Sequence, residues 1–345
     1  MKIAIVSAYV PFLSQPLLNN IEKLSSLLQE QGHEVEQICL PFINDTEKLL
    51  EQIVTYRLIN LTATADKVIT LNPPAHVLQH PNKINWFIKD WDSYFGIKNY
   101  RDGSGSGSLQ QDSIYQQIDT VNSRTLKEAK KLFAASKMIS EQMKDLDSLK
   151  SEILYPPLPY SEYFRCDGYN DEIVCLADLK ESSRLILLLD AMRFVKSAIR
   201  LRFCAESVDA FHVEKLKEII IKHGLGNRII FQNKRYTTQE KIDILAAALA
   251  GVYLPANDSF YGYSSLEIFH AQKPILTTND SGSLTELVID GYNGYIVDPT
   301  SQAIAEGLDK LYLDRKKTIA MGECAAQRII DLKITWKNVM ERLLS

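Results

Sequence analysis

The sequence has no paired cysteines, no excess of positive charge and no long apolar run. Its five cysteines are scattered and show no C-x-x-C spacing, a pattern typical of reduced, buried thiols and without the spacing of a zinc site. The net charge of −4 argues against nucleic acid as the main partner, because domains that bind it usually carry a basic excess. No apolar stretch reaches the roughly 18 residues that a membrane span needs.

The start of the chain also lacks the pattern of a secretory leader. Met1 and Lys2 run directly into Ile3-Ala4-Ile5-Val6, an apolar run too short for the central region of a signal peptide. The run instead predicts a buried first strand. We therefore expect a cytoplasmic protein.

Two α/β domains are expected from the length and the pattern. A chain of 345 residues exceeds what one hydrophobic core usually supports. Strand-length apolar runs alternate with helix-length amphipathic stretches, which predicts parallel sheets covered by helices. The proline-rich run 155–159 cannot continue a helix, so we place the domain boundary there, with one domain over 1–157 and the next from 158.

Residues 103–108 are a perfect Gly-Ser repeat, which is the composition of a flexible linker. We interpret it as an engineered replacement for a longer loop, with a natural low-complexity loop as the alternative.

A basic stretch over 123–131 is predicted to be helical. It carries four cations: Arg124, Lys127, Lys130 and Lys131. They form either a solvated face or, through 124–137, a peripheral contact with the inner face of an anionic membrane or with a lipid-phosphate acceptor.

The segment 254–299 is the most informative part of the sequence. Gly262 allows a close approach of backbone to a ligand, and Ser264 and Ser265 are predicted to open a helix whose free N–H groups favour an anion such as a diphosphate. Glu267 is predicted in the first turn of that helix, where a carboxylate can accept from two sugar hydroxyls. Residues 280–283 repeat the arrangement one βα unit later, with Glu286 either capping the next helix or serving the site.

These residues resemble the donor site of retaining glycosyltransferases of family 4. The run 260–267 (FYGYSSLE) is similar to the second half of that family's Glu-x7-Glu motif. Lys273-Pro274, the run 280–282, Glu286 and the run 290–294 follow in the family's order, and the resemblance covers roughly 153–345.

The resemblance implies the GT-B fold, two Rossmann-like doubly wound domains facing a central cleft. The first domain would hold a glycan or lipid-linked glycan acceptor. The second, over 158–325, would hold a nucleoside diphosphate sugar, and a crossover helix over 326–345 would return to the first domain. The implied reaction is metal-independent and cofactor-independent transfer of a hexose to a hydroxyl with retention of configuration, as in polysaccharide biosynthesis. The implied donor-binding residues are Lys180, Arg184, Ser259, Gly262, Tyr263, Ser264, Ser265 and Glu267.

The sequence departs from the family at two places. Ser259 stands at the first motif glutamate, with Asp258 one residue earlier, so Asp258 and Glu267 are the catalytic candidates. Asp178 and Ser183 stand where the family has Arg and Lys, and we expect Lys180 and Arg184 to bind the donor phosphates from shifted positions.

Two alternative functions stay open. The departures also fit a catalytically degenerate GT-B protein that binds a glycan or a partner, or a transferase with an unusual donor. No motif identifies His76 or His80 as the catalytic histidine of the N-terminal domain. Asp90-Trp91-Asp92 resembles the metal-binding D-x-D of another glycosyltransferase fold, but its context favours no metal.

Overall fold

The chain divides into two compact units. A computed structural model describes residues 1–10, 16–43, 45, 48–89, 109–177, 184–204 and 210–345. The first unit comprises Met1–Pro159 together with Ile334–Ser345, and the second comprises Tyr160–Lys333.

The first unit contains a six-stranded parallel sheet of order β2-β1-β3-β4-β5-β6. Its strands are β1 (Lys2–Tyr9), β2 (Glu34–Pro41), β3 (Lys67–Thr70), β4 (Lys83–Phe87), β5 (Lys131–Ala134) and β6 (Glu152–Ile153). Its helices before the second unit are α1 (Pro16–Glu30), α2 (Leu49–Arg57), α3 (Leu109–Leu126) and α4 (Lys137–Asp147). Six of the eight residues of β1 are buried, because helices cover both faces of a parallel sheet.

The basic stretch differs from its prediction. No helix runs over 123–131: α3 begins at Leu109 and ends at Leu126, and β5 begins at Lys131. The helical periodicity therefore ends five residues earlier than predicted, because Thr125 and Leu126 enter the core while Lys127 and Lys130 lie exposed in the turn.

The second unit repeats the architecture with a six-stranded parallel sheet of order β12-β11-β10-β7-β8-β9. Its strands are β7 (Glu172–Leu176), β8 (Arg200–Cys204), β9 (Ile229–Phe231), β10 (Ala250–Val252), β11 (Ile275–Thr278) and β12 (Gly294–Val297). Its helices are α5 (Leu185–Met192), α6 (Ala210–Lys222), α7 (Thr238–Ala247), α8 (Tyr263–His270), α9 (Leu284–Leu287), α10 (Ser301–Leu313) and α11 (Arg315–Asp331). Leucine, isoleucine and valine side chains from these strands and from α5, α6 and α10 form one buried cluster.

The last helix, α12 (Trp336–Leu344), belongs to the first unit. Trp336 Nε1 donates to the carbonyl of Leu158 at 3.1 Å, and Lys67 Nζ donates to the carbonyl of Leu343 at 2.9 Å. The helical conformation is interrupted between α11 and α12 at Lys333, which has a φ of 53°. Thr335 then caps the N-terminus of α12. Residues 326–331, predicted as part of the crossover helix, lie instead in α11 of the second unit.

None of the helices within the described ranges is long and apolar enough to cross a membrane.

Candidate functional site

Two loops meet at the carboxyl edge of the second sheet. One follows β10 and leads to α8, and the other follows β11 and leads to α9. Adjacent parallel strands end at the same edge, so both loops start side by side. Open α/β sheets bind ligands at this edge.

Main-chain hydrogen bonds join the two loops. Asn257 N donates to the carbonyl of Asp280 at 2.8 Å, and Ser283 N donates to the carbonyl of Asp258 at 2.8 Å. The Ser283 hydroxyl donates to the carbonyl of Ser259, also at 2.8 Å. The two loops therefore form one unit, and Ser259, predicted as a donor ligand, is buried within it.

Gly282 is required where the loops touch. Its φ is +65°, and a Cβ there would lie 2.3 Å from the carbonyl oxygen of Asp258 and 2.6 Å from its nitrogen. Both contacts are to backbone, so a side chain at 282 would push the loops apart.

Gly262 has a similar role at the start of α8. Its φ is +76°, and a Cβ would lie 2.6 Å from the Tyr253 hydroxyl. The helix begins at Tyr263, and Ser265 donates back to the carbonyl of Gly262 from both its N–H and its hydroxyl. Tyr263 and Ser264 are partly exposed in this first turn, whose N–H groups suit an anion.

Tyr263 is also unusual in its side chain. Its hydroxyl is buried with no hydrogen-bond partner among the described residues, and burial raises its pKa. Its ring packs edge-on against Phe260 at 5.0 Å between centroids. The ring therefore packs against the loop before α8 while the backbone opens the helix.

Glu267 lies one residue further into α8 than predicted, which places it in the second turn. It is the fifth residue of α8, in the second turn, because the helix begins at Tyr263 and its first turn holds no acidic residue. Its carboxylate Oε1 lies 2.6 Å from Lys241 Nζ of α7, and both side chains are buried. The prediction that Glu267 lies in the first turn is wrong.

Arg184 is held at the same edge by Asp280. Its two terminal nitrogens each donate to one carboxylate oxygen of Asp280 at 2.7 Å, and Nη1 also donates to Thr278 Oγ1 at 3.2 Å. This ion pair holds the pKa of Asp280 below its ordinary value. Arg184 directly precedes α5 and lies at the site, whereas Lys180 lies outside the described residues.

Asp258 lies in the first of the two loops, and Glu286 lies in the short helix that follows the second loop. Asp258 Oδ1 accepts from the backbone N–H of Phe260 at 3.1 Å, as in a loop cap. Glu286 lies in the first turn of α9 as predicted, although that helix ends at Leu287 and not at 290.

Two histidines of the first unit, His76 and His80, are buried. His76 Nε2 lies 2.9 Å from Asn122 Oδ1, and burial lowers the pKa of His76 to about 3, so it stays neutral near pH 7. His80 Nε2 lies 3.0 Å from the carbonyl of Ala65. Asp90 and Asp92 lie outside the described residues. Among the residues that the structure does describe, no group of three or more Asp, Glu, His or Cys side chains could hold a metal ion.

Lys241 and Asp280 are site residues whose roles sequence reasoning missed. Lys241 lies in the buried stripe of α7 beside Ile242 and Leu245, and a lysine at a core-facing position is a signal that the sequence does contain. Asp280 was assigned to the loop motif, but nothing in the sequence pairs it with Arg184.

Comparisons with known proteins find similarity to glycosyltransferases. Residues 167–328 match the family model described as Glycosyl transferases group 1. A stretch of 132 residues is 32% identical to "Alpha-1,3/1,6-mannosyltransferase ALG2" of Dictyostelium discoideum. That match covers 38% of this chain and 30% of the relative's length.

Solved structures of similar fold cover nearly the whole chain. A glycosyltransferase of Rickettsia africae superposes with a TM-score of 0.70 at 16% identity, covering 99% of this chain and 98% of that one. Anabaena HepE in complex with UDP gives 0.71 at 15% identity, covering 100% and 98%. Sucrose-phosphate synthase of Thermosynechococcus elongatus gives 0.75 at 14% identity, covering 99% and 97%. The predicted α/β fold of GT-B type and the resemblance to GT-B glycosyltransferases are confirmed, while the assignment to family 4 stays a prediction.

Proposed function

We propose that this chain transfers a hexose from a nucleoside diphosphate sugar to a hydroxyl group, with retention of configuration. The observation that carries the proposal is the joined pair of loops at the ends of β10 and β11, with Gly282 at the backbone contact between them and Gly262 at the start of α8. The backbone N–H groups at the start of α8 are then available to an anionic ligand, and the glycines carry no side chain that would block it.

Hydrogen-bond donors at this edge suit a diphosphate. When the glycosidic bond to the donor breaks, negative charge grows on the leaving diphosphate, and preorganised donors lower the energy of that state. Arg184 is preorganised because Asp280 fixes its guanidinium in a bidentate pair. The guanidinium keeps further N–H groups beyond those that Asp280 accepts. We propose that these meet the diphosphate, together with Lys180.

Glu267 is proposed to accept hydrogen bonds from the ribose. Its carboxylate lies one turn inside α8, on the helix whose N-terminus would face the phosphates. Tyr263, Ser264 and Ser265 of the same helix would line the phosphate end. A ribose and a diphosphate attached to it would then be bound by one helix.

The acceptor is proposed to be a glycan or a lipid-linked glycan bound by the first unit. Support comes from the similarity to a mannosyltransferase, and donor binding is supported by the neighbour that was solved with UDP. Exposed cations over 124–137, among them Lys127 and Lys130, are proposed to contact an anionic membrane surface at the cytoplasmic side.

A nucleotide panel tests the proposal. Calorimetric titration with UDP, GDP, ADP and CMP, and with their sugars, is expected to give one preferred nucleotide with a dissociation constant that Arg184→Ala weakens. Arg193→Ala is the matched control, because Arg193 is exposed and pairs only weakly with Asp190 at 3.5 Å. With the preferred donor, NMR of the product should show the anomeric configuration of the donor. Failure of every nucleotide and nucleotide-sugar to bind would contradict the proposal.

A non-catalytic binding protein is the second candidate. Ser259 stands at the family's first motif glutamate, and it is buried in the loop pair. Donor binding without transfer or slow donor hydrolysis would favour this candidate. That assay needs a chain in which a native loop replaces the Gly-Ser repeat at 103–108, because the repeat itself could abolish acceptor binding.

A further inference from the structure

The pair formed by Lys241 and Glu267 is a buried ion pair at the proposed donor site. The two charged atoms lie 2.6 Å apart, and the side chains are only 6% and 7% exposed. Lys241 is the fourth residue of α7, and Glu267 is the fifth residue of α8, so two separate helices supply the partners.

Stability alone does not account for this pair. Removing two charges from water costs free energy that their attraction repays only with excellent geometry, and apolar residues of similar volume are often as stable. The neighbouring buried positions of α7 are apolar, at Ile242, Leu245 and Ala246. The stripe would therefore pack as well with an aliphatic residue at 241.

We infer that Lys241 is a positioning residue that fixes the carboxylate of Glu267 for the ribose hydroxyls of the donor. The inference rests on the proposed function, in which Glu267 binds the ribose. Ribose hydroxyls donate hydrogen bonds, so an ionised carboxylate, which only accepts, suits them best when it faces them in one orientation. The ammonium group of Lys241 favours the ionised form and restrains the rotation of the carboxylate through Oε1.

The consequence is selectivity for ribose over deoxyribose. A nucleotide that lacks the 2′-hydroxyl leaves a buried carboxylate less well satisfied, and such a loss discriminates strongly between ligands. If Lys241 acts through Glu267, then changing either residue should remove the same selectivity. If Lys241 were purely structural, its replacement would change the melting temperature of the protein and leave the selectivity for ribose unchanged.

The test compares UDP with 2′-deoxy-UDP by calorimetric titration, or GDP with 2′-deoxy-GDP where the panel selects guanine. The protein is expected to bind the ribonucleotide at least about tenfold more tightly, as one charge-assisted hydrogen bond predicts. Lys241→Met and Glu267→Gln are each expected to reduce this ratio below about threefold. The double variant should reduce it no further, because the two residues act as one unit.

Three more variants make the test decisive. Lys241→Arg keeps a cation and is expected to recover most of the ratio. Lys241→Gln still donates a hydrogen bond to the carboxylate, so it replaces Lys241→Met if that variant does not fold, with a ratio at least about threefold below that of the unmodified protein. Lys217→Met is the control, since Lys217 forms an exposed pair with Glu214 at 2.7 Å, and it should leave the ratio unchanged.

The outcomes separate the inference from the function on which it rests. Loss of selectivity in both single variants, with recovery in Lys241→Arg, supports the inference. A folded Lys241→Met or Lys241→Gln with the unmodified ratio, while Glu267→Gln loses it, overturns the inference and leaves the proposed function standing. Failure of every nucleotide and nucleotide-sugar of the panel to bind overturns both.

Discussion

Replacing Gly282 by alanine is expected to separate the two loops of the candidate site. The new Cβ would lie 2.3 Å from the carbonyl oxygen of Asp258, far inside contact distance, and its three nearest neighbours are backbone atoms that cannot rotate away. The φ of +65° adds a second cost, because an L-residue is strained in that region.

The magnitude follows from these two terms. Left-handed backbone costs an alanine about 1–2 kcal/mol. Forcing an extra methyl group into a packed site typically costs about 1–3 kcal/mol. Together they lower the free energy of unfolding by about 2–5 kcal/mol, which corresponds to about 4–20 °C in melting temperature for a unit of this size.

Gly224 offers a matched control for the assay. Its φ is +64°, but a Cβ there would meet no atom within 4 Å. Gly224→Ala therefore carries the backbone cost alone, about 1–2 kcal/mol. Urea unfolding of both variants is monitored by circular dichroism. The difference between their free energies of unfolding is the cost of the clash.

Nucleotide binding adds a second measurement on the same variants. Gly282→Ala should weaken binding of the preferred nucleoside diphosphate under conditions where it is folded, whereas Gly224→Ala should not. Equal unfolding free energies for the two variants, with unchanged nucleotide binding, would refute the assignment of Gly282 to a close approach within the site.

Five further predictions concern the site and its surroundings. Glu267→Ala should weaken binding of the nucleoside diphosphate by about 1.5–3 kcal/mol in calorimetry, the range for a charge-assisted hydrogen bond, and an unchanged dissociation constant would remove Glu267 from the site. The double change of Lys180 and Arg184 to alanine should abolish transfer while circular dichroism shows a folded chain, and retained transfer would show that other groups stabilise the leaving diphosphate. Because Arg184 lowers the pKa of Asp280, their pair stabilises the fold above pH about 4 and loses that contribution as the pH falls below it. Asp280→Asn should therefore reduce the fall in the free energy of unfolding at acid pH. An unchanged dependence of that free energy on pH would contradict this prediction. Transfer should survive excess EDTA, and strict dependence on Mn²⁺ or Mg²⁺ would overturn this prediction. Binding to vesicles that contain anionic lipid should fall when the basic residues of 124–137 are changed to glutamine, and unchanged vesicle binding would overturn this prediction.

Local patterns in the sequence were enough to predict most of the strand and helix order. The strand at 229–231 and the helix at 301–313 have the predicted bounds, since apolar spacing and terminal turn residues act over a few neighbouring positions. The glycine-containing loops before α8 and α9 were also predicted, because positive φ and close backbone approach favour glycine in the sequence itself. The polar helix α3 was not predicted over most of its length, because its helical stability depends on packing more than on a clear apolar stripe.

Only the tertiary structure decided how the site residues combine. Lys241 and Glu267 stand 26 positions apart, and Arg184 and Asp280 stand 96 apart, so no local pattern links either pair. The parallel sheet brings the ends of β10 and β11 to one edge, and the helices that follow or precede its strands carry these charges together. A charged side chain in a sequence has no assigned partner; folding supplies one by placing distant elements within hydrogen-bond distance and removing the water that would otherwise solvate the charge.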